Sequence, residues 1–324
     1  METIRATAVC RLRNYTNDDI PSLVAILNQI YADEPTTLEQ ELHWERTYPA
    51  GNPRLRRVAE TEDGCMAGYG SCMRPFWTAR PDFYNVYVVV DPAWQRRGIG
   101  QALLAAVAPF AEENGFTKLR TSCKEDSAGT VRFLERAGFA QIGIRFEQAL
   151  DVQRFDETPF LDAVERTKAA GYEVVTLAQA RQEDPEADRH LYDVFAATIV
   201  DVPFPGDERA EPNYDNFRAG TLDAPNTPAE GVFIARREGR MVGLTTLELL
   251  PNGIGITGTT GVLAAQRGRG VAAMIKLASL RYLKEQGYRE ARTHNDTANP
   301  PILALNEKLG YRRLPGWLAW EKAL

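Results

Sequence analysis

Cysteine and histidine are scarce in this sequence, four and three residues respectively, and neither type is grouped. Cys10, Cys65, Cys72 and Cys123 all fall in the N-terminal half without CxxC or zinc-type spacing, so they read as buried free thiols. His43, His190 and His294 stand singly, and a histidine metal site would need distant carboxylates to complete it. No metal is expected. Long apolar runs are missing too: Val86 to Val90 and Leu103 to Val107 fall far short of the roughly 20 residues that cross a bilayer. The N-terminus lacks the basic segment, apolar block and cleavage site of an export signal, so cytoplasmic residence is the default expectation. Positive charge is not in excess. A formal net charge of −6 disfavours nucleic acid and mildly favours a cationic partner such as an amine.

What is present is ordinary globular composition, 44% hydrophobic and 25% charged, in a chain of 324 residues. That length exceeds what one core usually supports and predicts two domains. An internal repeat locates them. Gln95-Arg-Arg-Gly98-Ile-Gly100 matches Arg267-Gly-Arg-Gly270-Val-Ala272 at an offset of 172, and the offset persists to Gly138-Phe139 and Gly310-Tyr311. Val86 to Phe139 set against Gly258 to Tyr311 gives 11 identities in 54 positions, where about three would come from ordinary composition. With small shifts the match reaches Gly64 to Gly68 with Gly239 to Gly243, and Phe146 to Leu150 with Trp320 to Leu324. The predicted domains are 1–152 and 153–324, the second including a linker helix near Phe160 to Ala170 closed by Gly171.

Each copy reads as an α+β domain. In the first, helices are expected at Asp18 to Tyr31, with Asp18 as N-cap, and at Leu38 to Arg46. Strands follow at Leu55 to Glu60, Ala67 to Met73 and Tyr84 to Val90. A helix from Ile99 to Asn114, a strand at Lys118 to Cys123 and a helix at Ala128 to Ala137 complete the copy.

The chemistry-bearing feature is a valine-rich strand running through a glycine-bearing loop into a helix. A helix N-terminus offers free N–H groups and a positive dipole end, and glycine allows unusual dihedrals and close approach, so the junction can hold phosphates. Arg96, Arg97, Arg267 and Arg269 add positive charge. No GK[ST] follows the glycines, and the third glycine and distant acid of a dinucleotide fingerprint are missing. The loop instead resembles the acetyl-CoA signature of the GNAT (N-acetyltransferase) superfamily, Gln/Arg-x-x-Gly-x-Gly/Ala. Gln95, Gly98 and Gly100 supply it in the first copy, and Arg267, Gly270 and Ala272 in the second.

The resemblance covers nearly the whole chain and is nearest to tandem-domain members such as mycothiol synthase-like proteins. It implies two GNAT-like domains, each a mixed, mostly antiparallel sheet flanked by helices, with acetyl-CoA as donor. By that resemblance the loops, with Gly268, bind pyrophosphate, and pantetheine pairs with Val88 and Val90 in one copy and Thr260 and Val262 in the other. A cofactor-binding asparagine falls at Asn299, where the first copy has Ser127.

Acetyl transfer from a thioester needs a deprotonated amine, a donor for the oxyanion and a proton for the departing thiolate. By the same resemblance the family's usual acid, a tyrosine four residues before the glycine that closes the final helix (Gly138 and Gly310), is replaced by Leu134 and Asn306, though Asn306 retains the capacity to hydrogen-bond the cofactor. Glu248, opposite Met73 of the first copy, is the candidate base, set against the reading of a surface glutamate. Asp33-Glu-Pro35 and Asp201-Val-Pro203, the latter continuing through Phe204 to Glu208, are candidate acceptor-recognition segments or plain helix-ending turns. Trp77, Phe83 and Trp94 are pocket or core aromatics. The leading expectation is transfer of acetyl to the primary amine of a small molecule or peptide, with the second copy catalytic. A non-catalytic acyl-CoA-binding scaffold and an O-acyl or other acyltransferase are the alternatives.

Overall fold

A computed structural model describes residues 5–7, 10–76, 78, 82–203, 210–296 and 299–324. The chain forms two units, residues 1–144 with 317–324, and residues 145–316. The sequence division at 152/153 separates the repeats along the chain, whereas the compact units divide at 144/145 and again at 316/317.

In the first unit the strands are β1 (Arg5–Thr7), β2 (Cys10–Asn14), β3 (Arg54–Thr61), β4 (Met66–Met73), β5 (Tyr84–Val90) and β6 (Lys118–Lys124). The sheet runs in that order, antiparallel except for the parallel β5–β6 pair, and β6 takes its second neighbour from Trp317–Ala323. Helices α1 (Ile20–Ile30) and α2 (Leu38–Thr47) lie between β2 and β3 in the chain, α3 (Ile99–Val107) and α4 (Pro109–Glu113) precede β6, and α5 (Ala128–Arg136) follows it. The expected Ile99-to-Asn114 helix is broken because Pro109 has no N–H to continue the ladder. Asp18 does not cap α1: a 3₁₀ turn over Asn17–Asp19 opens it, and Asp19 accepts from the Thr16 N–H at 2.8 Å. Cys10, Cys72 and Cys123 are buried free thiols, but Cys65 is exposed in the hairpin between β3 and β4.

The strand β7 (Ala140–Asp151) passes from one unit to the next, so its residues Arg145–Asp151 begin the second sheet. Helices α6 (Leu161–Ala169), α7 (Leu177–Glu183), α8 (Ala187–Ile199) and α9 (Tyr214–Phe217) accompany β8 (Tyr172–Thr176), β9 (Val232–Arg237), β10 (Arg240–Leu249) and β11 (Ile254–Val262). Then come α10 (Val271–Glu285), β12 (Glu290–Asp296), α11 (Pro300–Leu309) and β13 (Arg312–Ala323). The second sheet is ordered β7-β12-β11-β10-β9-β8, with only β11–β12 parallel. Each sheet is therefore completed by a strand from the other repeat. The linker helix and the Gly171 cap are observed, Gly171 having φ 85°.

One core lies under α10, where Val271, Met274, Ile275, Leu277 and Leu280 pack on Phe233, Leu247, Val262 and Ala291. A second lies beneath α8, with Leu191, Val194 and Phe217 on Ile234 and Leu244. The β10–β11 register decides what happens between them. Thr245 pairs with Thr260 but Leu247 pairs with Thr257, so Thr246 faces two residues, Gly258 and Thr259, and β11 carries a bulge. The β4–β5 register in the first unit runs from Gly68↔Val90 to Met73↔Asn85 without a shift.

Candidate functional site

In the second unit β11 pairs with β12 only from Ile254↔Glu290 to Thr257↔Thr293. Beyond the bulge at Gly258 and Thr259, residues 260–262 keep their pairing to β10, and the other edge of residues 258–262 has no paired strand among the described residues. Bulges re-aim a strand and leave its ladder locally unpaired, and they recur next to active sites. The strand then enters a 3₁₀ turn at Ala264–Gln266 and the glycine loop. Gly268 and Gly270 both take left-handed dihedrals, φ 74° and 84°, and Gly270 is the N-cap of α10. That conformation is strained for residues with a Cβ, which accounts for the second glycine of the motif.

The first motif residue has a local task. Arg267 Nε donates to the Val262 carbonyl at 2.9 Å, tying the loop to the strand it leaves. Its Nη2 meets Asp201 Oδ2 at 2.6 Å. Asp201 thus holds the loop arginine, a role different from acceptor recognition; Phe204 to Glu208 lie outside the described residues. The loop, the open strand edge and the start of α11 enclose a cavity of about 390 Å³. Of the residues singled out from sequence, Asp201, Thr260, Val262, Arg267, Gly268, Gly270, Ala272 and Asn299 line it. Arg269 does not; its carbonyl accepts from Thr167 Oγ1 of α6 at 3.2 Å.

The donor set suits a phosphorylated thioester cofactor: the left-handed glycines sit at a helix N-terminus beside an arginine, and a strand edge leads away from them. Gly268 leaves open space where a Cβ would lie, whereas a Cβ at Gly270 would strike Thr167. Both glycines line the cleft, and Gly270 is also packed against α6.

Glu248 and Asn306 lie outside that cavity. Glu248, half-buried on β10 opposite Ile256, has Asn226 Nδ2 3.4 Å from its Oε2. A Cβ built on Gly258 would come within 3.5 Å of its Oε1, so the carboxylate stands beside the bulge. Asn306 on α11 is fully buried; its Nδ2 donates to Gln148 Oε1 at 2.9 Å, and its Oδ1 has no partner among the described residues.

The first unit repeats the loop but not its surroundings. Gln95 Nε2 donates to the Val90 carbonyl at 3.2 Å, as Arg267 does to Val262. Gly98 is the left-handed N-cap of α3, and Gly100 sits at ordinary contact distance from Val90 and Phe133. At the place of Gly268 stands Arg96, a left-handed residue with a side chain, φ 63°. Arg97 stacks over Trp94 at 4.8 Å. Ser127 precedes α5 as Asn299 precedes α11. After Asn85↔Arg120, β5 also leaves β6, and Val88 and Val90 pack their side chains against α3-side apolar residues. Tyr87 is half-buried and hydrogen-bonded to Tyr31, and burial raises both phenols. Tyr31 in turn meets the Trp317 ring at 5.6 Å.

Other candidates resolve to structural tasks. Asp33 and Glu34 both approach Lys124, Glu34 at 2.7 Å. Phe83 is buried under the Arg120 guanidinium, and Trp77 lies outside the described residues. The reading from sequence missed Thr198, which reaches the cleft from α8, while Asp201, singled out there for acceptor recognition, reaches it from the turn after that helix. It also missed a buried polar group under α10, although Lys276 was visible there as a lone cation in an apolar helical stretch.

The profile of the Acetyltransferase (GNAT) family matches the chain twice, over residues 20–139 and 191–311. A mycothiol acetyltransferase of Thermomonospora curvata is 28% identical over 262 residues, 80% of either chain. One from Geodermatophilus obscurus is 23% identical over 313 residues, 94% of either chain. Among solved structures, a tandem GNAT protein from the clavulanic acid biosynthesis pathway superposes with a TM-score of 0.73 at 21% identity, covering 97% of this chain and 98% of that one.

Proposed function

The chain belongs to the acetyltransferase (GNAT) family and is an acetyl-CoA-dependent N-acetyltransferase, and from that premise we propose that residues 145–316 form its working unit. The observation that carries this is the bulge in β11, which sets Glu248 beside the free edge leading from the glycine loop; the matching β5 also leaves an edge free, but its register is regular and it carries Tyr87, half-buried and paired with Tyr31. The acceptor is the primary amine of a small molecule. The names of the curated relatives point to an amine of the mycothiol type.

In this reading the amides of Gly268 to Ala272 and the N-terminal end of α10 hold the pyrophosphate, with Arg267 alongside and Asn299 on the facing wall. Helix-end donors are preorganised, so they bind charge with little rearrangement. The free edge of residues 258–262 pairs with the amides of the pantetheine arm while the threonine and valine side chains keep their packing. Bound acetyl-CoA supplies the thioester carbonyl. Glu248, beside the bulge, takes the proton of an acceptor ammonium, which a net charge of −6 helps to attract.

Thiol release with a panel of small amines, on wild type and Glu248→Gln, tests the assignment. Losing a general base costs about 10²- to 10⁴-fold, so kcat falls by that order while the KM for acetyl-CoA holds. An unchanged kcat rules out Glu248 as the base. Wild-type protein that binds acetyl-CoA yet releases no thiol with any amine would make the chain a binding scaffold.

A further inference from the structure

Under α10 the second unit buries a polar group that its repeat partner lacks. Lys276 is 1% exposed, and its Nζ has no hydrogen-bond partner among the described residues. It lies 5.3 Å from the centre of the Tyr311 ring. Tyr311 is also buried, and its hydroxyl is near enough to Thr257 to feel it, yet neither hydroxyl has a partner at good hydrogen-bonding geometry. The Asn306 Oδ1 is the fourth unpartnered atom. At the same repeat positions the first unit has Leu104 for Lys276, Leu134 for Asn306 and Phe139 for Tyr311, all within one apolar core. Each buried polar atom without a partner costs roughly 1–3 kcal/mol, so the three of Lys276, Tyr311 and Thr257 together mark a place kept for a reason other than stability.

That place is the apex where β11 and β12 part. Thr257↔Thr293 is their last rung, and the open edge of residues 258–262 runs from the glycine loop down to it. Five residues at about 3.3 Å each span about 16 Å. An arm anchored at the loop and laid along that edge therefore ends at Thr257, beside the Tyr311 hydroxyl.

We propose that Tyr311 protonates the departing thiolate and that Lys276 is the positioning residue that restores the Tyr311 proton. This rests on the assignment of residues 145–316 as the working unit. As the acceptor nitrogen bonds to the acetyl carbon, the carbon–sulfur bond breaks and its electron pair goes to sulfur. The Tyr311 hydroxyl proton moves to that sulfur, giving a thiol, and the Lys276 ammonium returns a proton to the Tyr311 oxygen. The proton shed by the acceptor nitrogen leaves through Glu248 to solvent, and solvent recharges Lys276 when the products go.

The charge environment suits this. The packed core under α10 presents Ala291 from β12, Leu150 from β7, Leu247 from β10, and Phe233 and Ala235 from β9, with Tyr311, the neighbour of Thr257 on β11, beside Lys276. Val164 comes from α6, and Tyr172 on β8 is engaged with Gln266. Tyr311 is the one titratable group among these near the amine, and burial alone brings Lys276 down to about 7. Burial likewise raises the Tyr311 phenol, so a neighbouring ammonium is what makes that proton available.

The test uses the full chain with acetyl-CoA and an amine it accepts. Lys276→Met and Tyr311→Phe should each lower kcat about 10- to 100-fold, within the range of general-acid effects, with acetyl-CoA affinity and melting temperature maintained or raised. Wild-type kcat should decline as pH rises through the neighbourhood of 7, and Lys276→Met should lose that limb. Packing alone cannot move a pH limb. Wild-type kcat in both variants, or an unchanged limb in Lys276→Met, overturns the relay. If Gly268→Trp is inactive while Lys276→Met is normal, the relay fails and the unit assignment stands; if Gly268→Trp retains full activity, the unit assignment itself fails.

Discussion

The two units carry the same loop at the same place, yet the residues behind it differ in kind. Behind Gln95 to Gly100 lie a regular strand with a free edge, a half-buried tyrosine pair and an apolar core holding Leu104, Leu134 and Phe139. Behind Arg267 to Ala272 lie a bulged strand with the same free edge and, at the positions of that apolar core, Lys276, Asn306 and Tyr311 with unused hydrogen-bonding capacity. The difference teaches that the signature reports phosphate binding and says little about chemistry. At positions 104, 134 and 139 the first repeat places hydrocarbon, whereas at 276, 306 and 311 the second leaves polar atoms unsatisfied, at a cost in folding free energy.

The largest effect that would sharpen this contrast is on stability. Lys276 binds its proton more weakly in the folded protein, near 7, than the roughly 10.4 of an unfolded lysine. Below about pH 7 both states are protonated and the fold bears the whole penalty; between 7 and about 10 the unfolded state holds more protons, so stability rises with pH. At about 1.4 kcal/mol per unit, Lys276→Met should therefore gain on the order of 4 kcal/mol at neutral and acid pH, fading towards pH 10. Chemical denaturation at several pH values reads this directly. A variant less stable than wild type at pH 6 would contradict it.

Smaller effects separate the loops. Gly270→Ala should cost about 1–2 kcal/mol for the left-handed backbone, and more because its Cβ meets Thr167. Gly268→Ala, with open space around it, should cost only the backbone term, and Arg96→Gly should change the first unit by less than about 1 kcal/mol. Equal losses at positions 268 and 270 would refute the packing of Gly270, and not Gly268, against α6. Smallest is Arg267→Gln. Gln95 makes the same bond to its strand carbonyl, and the exposed pair with Asp201 is worth about 0–1 kcal/mol, so acetyl-CoA affinity should fall no more than about fivefold.

The repeat, the loops and most elements were legible because helices and strands follow local periodicity and caps. The Pro109 break was legible in principle, since proline removes a ladder donor. The exchange of terminal strands was not: Phe146-Glu-Gln-Ala-Leu150 and Trp320-Glu-Lys-Ala-Leu324 are so alike that either pattern suits either sheet. Nor was the bulge, because Gly-Thr-Thr-Gly reads equally well in or out of register. The apex was half legible. Alignment of the repeats sets Lys276 against Leu104 and Tyr311 against Phe139, but only the fold shows that these two substitutions meet. Glu248 was chosen from strand position alone, and its place beside Gly258 depends on that same unseen bulge.

One working unit is the central claim, and the matched positions 268 and 96 test it most directly. A tryptophan at either meets the same loop geometry; at Gly268 it enters the cleft, and at Arg96 it replaces a side chain already present. Acetyl-transfer rates of Gly268→Trp and Arg96→Trp, measured side by side at saturating amine, should show activity abolished in the first and near wild type in the second. Activity lost in Arg96→Trp and kept in Gly268→Trp would contradict the account.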